Sequence, residues 1–119
     1  MKKFVLFSLV LLAFLNSSLA QVVRLQYETS PQEAYAADVL KKSLAKNGYI
    51  INNNGKPDYT ISLKLNSATL SEEAYALRLE GKNITIEGGD GSGVIYGALS
   101  IAEDLANGIP LEKIKRRSE

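Results

Sequence analysis

Residues 84–97 read Ile-Thr-Ile-Glu-Gly-Gly-Asp-Gly-Ser-Gly-Val-Ile-Tyr-Gly, and this stretch decides the fold of the chain. Its first residues alternate apolar and polar side chains, which is the period of a half-buried strand. Its last residues begin an apolar pattern of helical period that runs from about Gly93 to Asn107. Asp90 or Ser92 can cap that helix, and the glycines permit a sharp turn and close packing of helix on sheet. The stretch therefore predicts a strand, a tight turn and a helix packed against the strand.

Three upstream stretches alternate in the same way and predict further strands. Apolar side chains alternate with polar ones over residues 23–28, 59–66 and 75–80, so each strand buries one face only. The last of these is separated from the strand at 83–87 by Gly81-Lys82, and glycine at the first loop position suits a two-residue type II′ turn. We therefore expect these two strands to form an antiparallel hairpin.

A second helical pattern begins at Ser30-Pro31-Gln32-Glu33, a capping box with proline at the first helical position. In such a box the serine oxygen accepts a hydrogen bond from a free backbone N–H while the glutamate reaches back. The pattern ends at Asn47-Gly48, a sequence typical of a left-handed cap. Its apolar stripe comprises Ala36, Ala37, Val39, Leu40 and Leu44.

The predicted elements follow the order β-α-β-β-β-α, and two amphipathic helices are available to cover the apolar faces of the strands. This order predicts the α+β class, with a two-layer sandwich in which a four-stranded mixed sheet carries two helices on one face. The opposite face of the sheet is expected to be polar. The first two strands, joined across a helix, are expected to lie parallel through a right-handed crossover.

Residues 1–20 have the pattern of a cleaved secretory signal. Lysines at positions 2 and 3 precede a largely apolar stretch over 4–15, and small residues at 18 and 20 precede a cut before Gln21. The apolar stretch spans only about 18 Å as a helix, less than the roughly 30 Å of a membrane core. The sequence thus predicts an exported protein, periplasmic or secreted, without a membrane anchor after cleavage. Its α+β domain would cover 21–108, and 109–119 would be a linker or tail.

Composition excludes several classes of function. The chain of 119 residues has no cysteine and no histidine, so it has no thiol nucleophile, Ser-His-Asp triad or HExxH zinc helix. Without Lys2 and Lys3, the 14 basic residues fall to 12 against 13 acidic ones, a balance that argues against nucleic-acid binding. The sequence therefore supplies no metal-ligand set and no catalytic residue that can be assigned.

The spacing of Gly91, Gly93 and Gly97 also fits GxGxxxG, which occurs where a helix N-terminus holds a pyrophosphate. Dinucleotide-binding folds bury their parallel strands on both faces, whereas the strands of this chain alternate. The motif also follows the last predicted strand, so no later strand completes a βαβ unit. We therefore predict no cofactor and assign the glycines to the turn and to close packing.

The same stretch resembles a motif of glycoside hydrolases. Family 20 β-N-acetylhexosaminidases and family 67 α-glucuronidases have a small N-terminal α+β domain before the catalytic barrel. In that domain a strand precedes Asp-x-x-Gly-hydrophobic-hydrophobic-Tyr-Gly and an amphipathic helix. In this sequence those places are taken by Asp90, Gly93, Val94, Ile95, Tyr96 and Gly97. The strand at 75–79 resembles the family's Gly-Tyr-x-Leu strand, with Ala74 where glycine is common. The resemblance is closest over 75–107 and looser over 22–107.

The resemblance implies a zincin-like fold without the metal site and a non-catalytic role, because the catalytic carboxylates of these enzymes lie on barrel loops. It predicts an accessory or scaffold domain of an exported glycoside hydrolase of carbohydrate degradation. The sequence ends at Glu119, where a barrel would start. The implied partner is therefore a catalytic (β/α)8 barrel, in cis if the chain is a fragment. The alternatives are a stand-alone binding module for a glycan or a protein, using the polar sheet face or the exposed helix, and a small enzyme in its own right.

Four residues are the candidates for a structural motif or a domain-docking site: Asp90, Gly93, Tyr96 and Gly97. Tyr96 lies on the polar side of its helix, with Ser100, Glu103 and Asn107, and is either a half-buried edge residue or a contact for a following domain.

The adjacent carboxylates of Glu72 and Glu73 need not converge on one glycosidic bond, so we expect a capping or solvated role for them. Glu103 and Asp104 are expected to be solvated helix-face charges, and the basic residues at 113, 115, 116 and 117 part of a linker.

Overall fold

A computed structural model describes residues 20–119, in which two helices lie against a six-stranded sheet. The strands are β1 (Val22–Gln26), β2 (Ile50–Ile51), β3 (Tyr59–Leu65), β4 (Tyr75–Glu80), β5 (Asn83–Gly88) and β6 (Arg117–Ser118). The helices are α1 (Pro31–Lys46) and α2 (Gly91–Ala106), and a 3-10 helix covers Leu111–Lys113. The predicted α+β class is confirmed. The strand number differs from the expected four because β2 and β6 have two residues each, too few to produce a period.

The sheet is mixed and has the strand order β2-β1-β3-β5-β4-β6. Strands β1 and β3 are parallel, as the crossover through α1 predicts, and β3 is also parallel to β5. Strands β4 and β5 form the predicted antiparallel hairpin, in which Glu80 pairs with Asn83. Within this turn Gly81 has a φ of 59°, whereas Lys82 has no positive φ, which is the combination of a type II′ turn.

Both helices pack on the same face of the sheet and on each other, and their buried side chains join one core. The fully buried large side chains include Leu40 and Leu44 of α1, Ile61 and Ile86 of the sheet, and Ile101 of α2. In α2 the buried side chains include Ile101, while Ala106, the last residue of the helix, is exposed. None of the helices within residues 20–119 has the length and apolar character needed to cross a membrane.

The turn into α1 differs in one detail from the predicted capping box. The Ser30 hydroxyl oxygen accepts a hydrogen bond from the Glu33 N–H at 3.3 Å, as expected. The Glu33 carboxylate, however, accepts from the backbone N–H of Glu28 at 2.8 Å. Glu33 is only 2% exposed, and its carboxylate therefore ties the end of the β1 segment to the first turn of the helix. At the other end Gly48 has a φ of 87°, in agreement with the predicted left-handed cap.

The C-terminal segment lies against the domain, in contrast to the linker or tail expected for 109–119. Leu111 and Ile114 are buried in the core, and the Leu111 N–H donates to the Tyr49 hydroxyl at 3.0 Å. The segment then adds β6 to the outer edge of β4. Sequence reasoning missed this packing because two apolar residues three positions apart, among charged neighbours, give no strand or helix pattern.

Asp104 forms an ion pair with Arg117 of β6, so it is not the solvated helix-face charge that the sequence predicts. Its side chain is only 16% exposed. The pair joins α2 to the C-terminal segment, and the partner lies 13 residues away on a strand too short to be recognised. Glu103, one residue earlier, is exposed as expected.

Candidate domain-docking face

The turn between β5 and α2 is built around Asp90. One oxygen of the Asp90 carboxylate accepts hydrogen bonds from the Gly93 N–H at 2.9 Å and from the Glu73 N–H at 3.1 Å. Asp90, and not Ser92, is therefore the N-cap of α2. The Gly89 N–H donates to the Ala74 carbonyl at 2.9 Å, which adds a second tie between this turn and the segment before β4. The cap thus holds two parts of the chain together as well as the helix end.

Gly93 and Gly97 allow α2 to approach the sheet more closely than any other residue would. A Cβ atom on Gly93 would lie 2.1 Å from the carbonyl oxygen of Ala74. A Cβ atom on Gly97 would lie 2.4 Å from Cγ2 of Ile86 on β5. Both distances are shorter than van der Waals contact, so the two glycines serve the close packing of the helix that the sequence predicts.

The same geometry does not suit a phosphate site. The amide groups of Gly89, Gly93 and Val94 already donate to oxygens of the chain. The Asp90 carboxylate also lies at the helix N-terminus, where its negative charge would repel a pyrophosphate. The GxGxxxG spacing is therefore accounted for by packing.

The outer side of the helix layer carries apolar side chains that the domain itself does not cover. Tyr96 and Leu99 of α2 are 45% and 44% exposed, and Tyr35 of α1 is 56% exposed. Val39 of α1 is partly exposed one turn beyond Tyr35, and Glu103 of α2 is exposed one turn beyond Leu99. We call these five residues the outer helical face. Tyr96 lies on the solvent side of α2, as its place in the sequence predicts.

A groove of about 480 Å³ runs beside Tyr96, between α2, the start of β4 and the C-terminal strand. Arg117 in this groove is paired with Asp104. Glu73, Glu103 and Glu119 are exposed there, and within residues 20–119 no lysine or arginine nitrogen lies within 4.0 Å of their carboxylates. The groove is lined by Glu73, Tyr75, Tyr96, Leu99, Ser100, Glu103, Asp104, Arg117 and Glu119.

The structure brings some of the predicted residues together and separates others. Glu73 lines the groove and has a φ of 63°, whereas Glu72 is exposed in the same loop and is not among the groove residues. Within residues 20–119 no three acidic side chains cluster so as to hold a metal ion. Sequence reasoning missed Leu99, Arg117 and Glu119 as groove residues. Of these three, only Leu99 could have been recognised from the sequence, because it is an apolar residue three positions after Tyr96 on an otherwise polar side of the helix.

The opposite, polar face of the sheet is occupied by contacts within the domain. Glu87 accepts hydrogen bonds from Asn66 at 2.7 Å and from Arg78 at 2.6 Å. The hydrogen bond from Asn66, together with Arg78, lowers the pKa of the Glu87 carboxyl below its usual value, although burial acts in the opposite direction. The Ser62 hydroxyl likewise donates to Gln26 at 3.1 Å. These groups of the sheet face therefore already have partners within the domain.

The family model for glycosyl hydrolase family 20, domain 2, matches residues 14–112. The chain belongs to this domain family. The resemblance to the N-terminal non-catalytic domain of family 20 enzymes is thereby confirmed. No curated protein sequence matches the chain significantly.

Solved structures of glycoside hydrolases contain the same fold. A family 138 enzyme that targets the pectin rhamnogalacturonan II aligns with 82% of this chain at 27% identity and a TM-score of 0.70. A β-hexosaminidase of Streptomyces plicatus aligns with 70% of the chain at 20% identity and a TM-score of 0.54. An exo-β-N-acetylglucosaminidase of Vibrio harveyi aligns with 70% at 24% identity and a TM-score of 0.51.

The domain spans a small part of each of these enzymes. The alignments cover 15% of the family 138 chain, 17% of the Streptomyces chain and 12% of the Vibrio chain. In family 20 enzymes the domain occurs together with a catalytic barrel. The relatives as whole proteins are enzymes, while the domain that matches is the non-catalytic one.

Proposed function

We propose that this domain is an accessory scaffold of an exported glycoside hydrolase of carbohydrate degradation, and that its outer helical face docks against the catalytic barrel. The observation that carries the proposal is the exposure of Tyr96 and Leu99 on α2 and of Tyr35 on α1. These large apolar side chains lie on the side of the helix layer that the sheet does not cover. A barrel packed on this side would remove them from water.

The expected gain is large enough to hold two domains of one chain together. Burying a large apolar side chain that is fully exposed contributes about 1.5–3 kcal/mol. Tyr96, Leu99 and Tyr35 are each about half exposed, so each contributes roughly half of that when it is covered. Aromatic side chains near the centre of an interface often contribute most of its binding energy, which makes Tyr96 and Tyr35 the principal anchors of the proposed contact.

The docking test measures the affinity between the exported chain and the catalytic barrel encoded with it, by isothermal titration calorimetry. We expect Tyr96→Ala and Leu99→Ala each to weaken docking about tenfold, the size of a hot-spot truncation of roughly 1.4 kcal/mol. Leu65→Ala is the matched control, because Leu65 is 56% exposed at the end of β3, away from the outer helical face. If Tyr96→Ala and Leu99→Ala bound the barrel as tightly as the control Leu65→Ala, the docking face would be refuted. A coding region with no barrel in the same or a neighbouring frame would refute the scaffold role.

Export is supported by the pattern of residues 1–20, which lie outside the described residues except for Ala20. We expect the mature protein to begin at Gln21 and to be recovered outside the cytoplasm. Intact mass and N-terminal sequencing of the recovered protein check this expectation. A mature protein that still begins at Met1 would contradict it.

The chain by itself is expected not to hydrolyse aryl glycosides, because it offers no nucleophile held beside a base. The assay compares the release of nitrophenol from hexosaminide and glucuronide substrates with a buffer control. Turnover above that control, lost in Glu72→Gln or Glu73→Gln, would make the chain an enzyme. Binding of defined sugars on a glycan array, undiminished by Tyr96→Ala, would favour a stand-alone glycan-binding module.

A further inference from the structure

The chain contains three Asn-Gly pairs, which the fold holds in different ways. They are Asn47-Gly48 after α1, Asn54-Gly55 between β2 and β3, and Asn107-Gly108 after α2. In such a pair the backbone nitrogen of the glycine can attack the side-chain carbonyl carbon of the asparagine, because glycine has no Cβ atom to hinder the approach. All three pairs are exposed to solvent, so exposure alone does not distinguish them.

The two pairs that follow helices are held by hydrogen bonds of the helix ends. The Gly48 N–H donates to the Ala45 carbonyl at 3.3 Å, and the side-chain amide of Asn47 donates to the Ser43 carbonyl at 2.8 Å. The Gly108 N–H donates to a carbonyl in the last turn of α2 at 3.1 Å. Each glycine nitrogen must lose this bond before it can turn toward the asparagine side chain, so reaction at these pairs requires local opening of the helix end.

The pair between β2 and β3 has no such protection. Within residues 20–119 neither the Gly55 N–H nor the side chain of Asn54 has a hydrogen-bond partner. The groups on either side of them are held, since the Asn54 N–H donates to the Asn52 side chain at 2.8 Å and the Gly55 carbonyl accepts from Arg24. The nitrogen and the carbonyl carbon that would react therefore need no bond to open first.

We propose that Asn54 is a site of spontaneous deamidation in the folded protein and that Asn47 and Asn107 are protected from it. The Gly55 nitrogen gives its proton to solvent and bonds to Cγ of Asn54, and the bond from Cγ to the side-chain nitrogen breaks, releasing ammonia. Water then opens the resulting succinimide at one of its two carbonyl carbons and leaves aspartate or isoaspartate. The sum of the steps consumes one water and releases one ammonia, and nothing is oxidised or reduced.

The reaction changes the loop that joins β2 to β3. Either product adds a negative charge, and isoaspartate also adds a methylene group to the backbone before Gly55. Because the Gly55 carbonyl accepts from the Arg24 guanidinium, the longer backbone should displace this acceptor and weaken the contact between the loop and β1. The outer helical face lies on α1 and α2, so this inference is independent of the proposed function.

The three pairs can be compared within one sample of the exported chain. The protein is incubated in mildly alkaline buffer, folded or in denaturant, and peptide mapping by mass spectrometry measures aspartate and isoaspartate at each site. In the folded chain we expect Asn54 to react at least about fivefold faster than Asn107, where one backbone hydrogen bond must open. Asn47 should be slowest, because its side chain is bonded as well. In denaturant the three rates should become similar, since glycine follows each asparagine.

Two variants assign the fast reaction. Asn54→Gln should remove it, because the longer side chain forms the corresponding ring less readily. Asn107→Gln is the matched control at a protected pair and should leave the fast reaction unchanged. Equal rates at the three sites of the folded chain would overturn the proposal. The same excess at Asn54 in denaturant would also overturn it, because the neighbours in sequence, and not the hydrogen bonds of the fold, would then be the cause.

Discussion

The two sides of α2, a helix of sixteen residues, differ in how closely they are packed. On the inner side Gly93 and Gly97 leave so little room that an added Cβ would lie 2.1 Å and 2.4 Å from neighbouring atoms. On the outer side the side chains of Tyr96 and Leu99 are 45% and 44% exposed. The difference separates the stability of the domain, which depends on the inner side, from the recognition of a partner, which we assign to the outer side. Substitutions on the two sides should therefore have different effects.

The largest effect is expected for Gly93→Ala. The added methyl group would meet the backbone carbonyl of Ala74, which cannot rotate away, so we expect a loss of about 3 kcal/mol in the free energy of unfolding. Gly108→Ala is the control, because Gly108 has a φ of 82° with no atom within 4 Å of an added Cβ. It should lose only about 1–2 kcal/mol, through backbone strain alone. Denaturant unfolding measures both, and equal losses would show that the close approach at Gly93 is unimportant.

A smaller loss of about 2 kcal/mol is expected for Gly97→Ala, because the clash is with the side chain of Ile86. In an exposed helix the same change would stabilise by up to about 1 kcal/mol, so the sign alone distinguishes the two sides of the helix. A double-mutant cycle with Ile86→Ala sharpens the result. Removing Cγ2 of Ile86 should make Gly97→Ala nearly neutral, whereas additive losses would place the clash elsewhere.

Asp90→Ala should cost about 1 kcal/mol, the usual contribution of an N-cap, because Gly93 and Glu73 both lose their acceptor. Asp90→Asn keeps an acceptor oxygen and should lose less. Ser92→Ala is the matched control and should change the free energy of unfolding by less than about 0.5 kcal/mol. Thermal and denaturant melts distinguish the three variants. A larger loss of stability in Ser92→Ala than in Asp90→Ala would show that Ser92, and not Asp90, is the cap.

The smallest effect on stability is expected for Tyr96→Ala, at less than about 1 kcal/mol in the isolated chain, because the ring is half exposed. The same variant should weaken docking when the barrel is present. Unfolding measured with and without the barrel tests both statements. A Tyr96→Ala chain that unfolds by itself would mean that Tyr96 supports the core and that the helix is oriented differently.

Much of the strand–turn–helix unit could be predicted because its determinants are close together in sequence. Asp90 and Gly93 form the cap through a contact between residues three apart, and the alternation of Ile84 and Ile86 gives the strand directly. The partners of the same unit could not be predicted. Ala74 and Glu73, which contact the turn, lie 15 or more residues away, and no local pattern connects them with it.

The residues that line the groove beside Tyr96 could likewise be predicted only in part from the sequence. Tyr96 was a candidate because helical spacing places it on the polar side of α2. Its neighbour Glu119 enters the groove only because β6 pairs with β4 and the Glu119 N–H donates to the Tyr75 carbonyl at 2.8 Å. The ion pair between Arg117 and Asp104 has the same origin. Which side chains of the C-terminal segment line the groove therefore follows from this strand pairing.

The sequence by itself determined the α+β class, the order of the long elements, the hairpin and a capped start of α2 at Asp90 or Ser92, because hydrophobic period, turn chemistry and capping act over a few residues. Only the tertiary structure decided the two short edge strands, the packing of Leu111 and Ile114, and the groove beside Tyr96. These features depend on contacts between residues far apart in the chain, whose formation is governed by burial and shape in the folded core and leaves no local pattern.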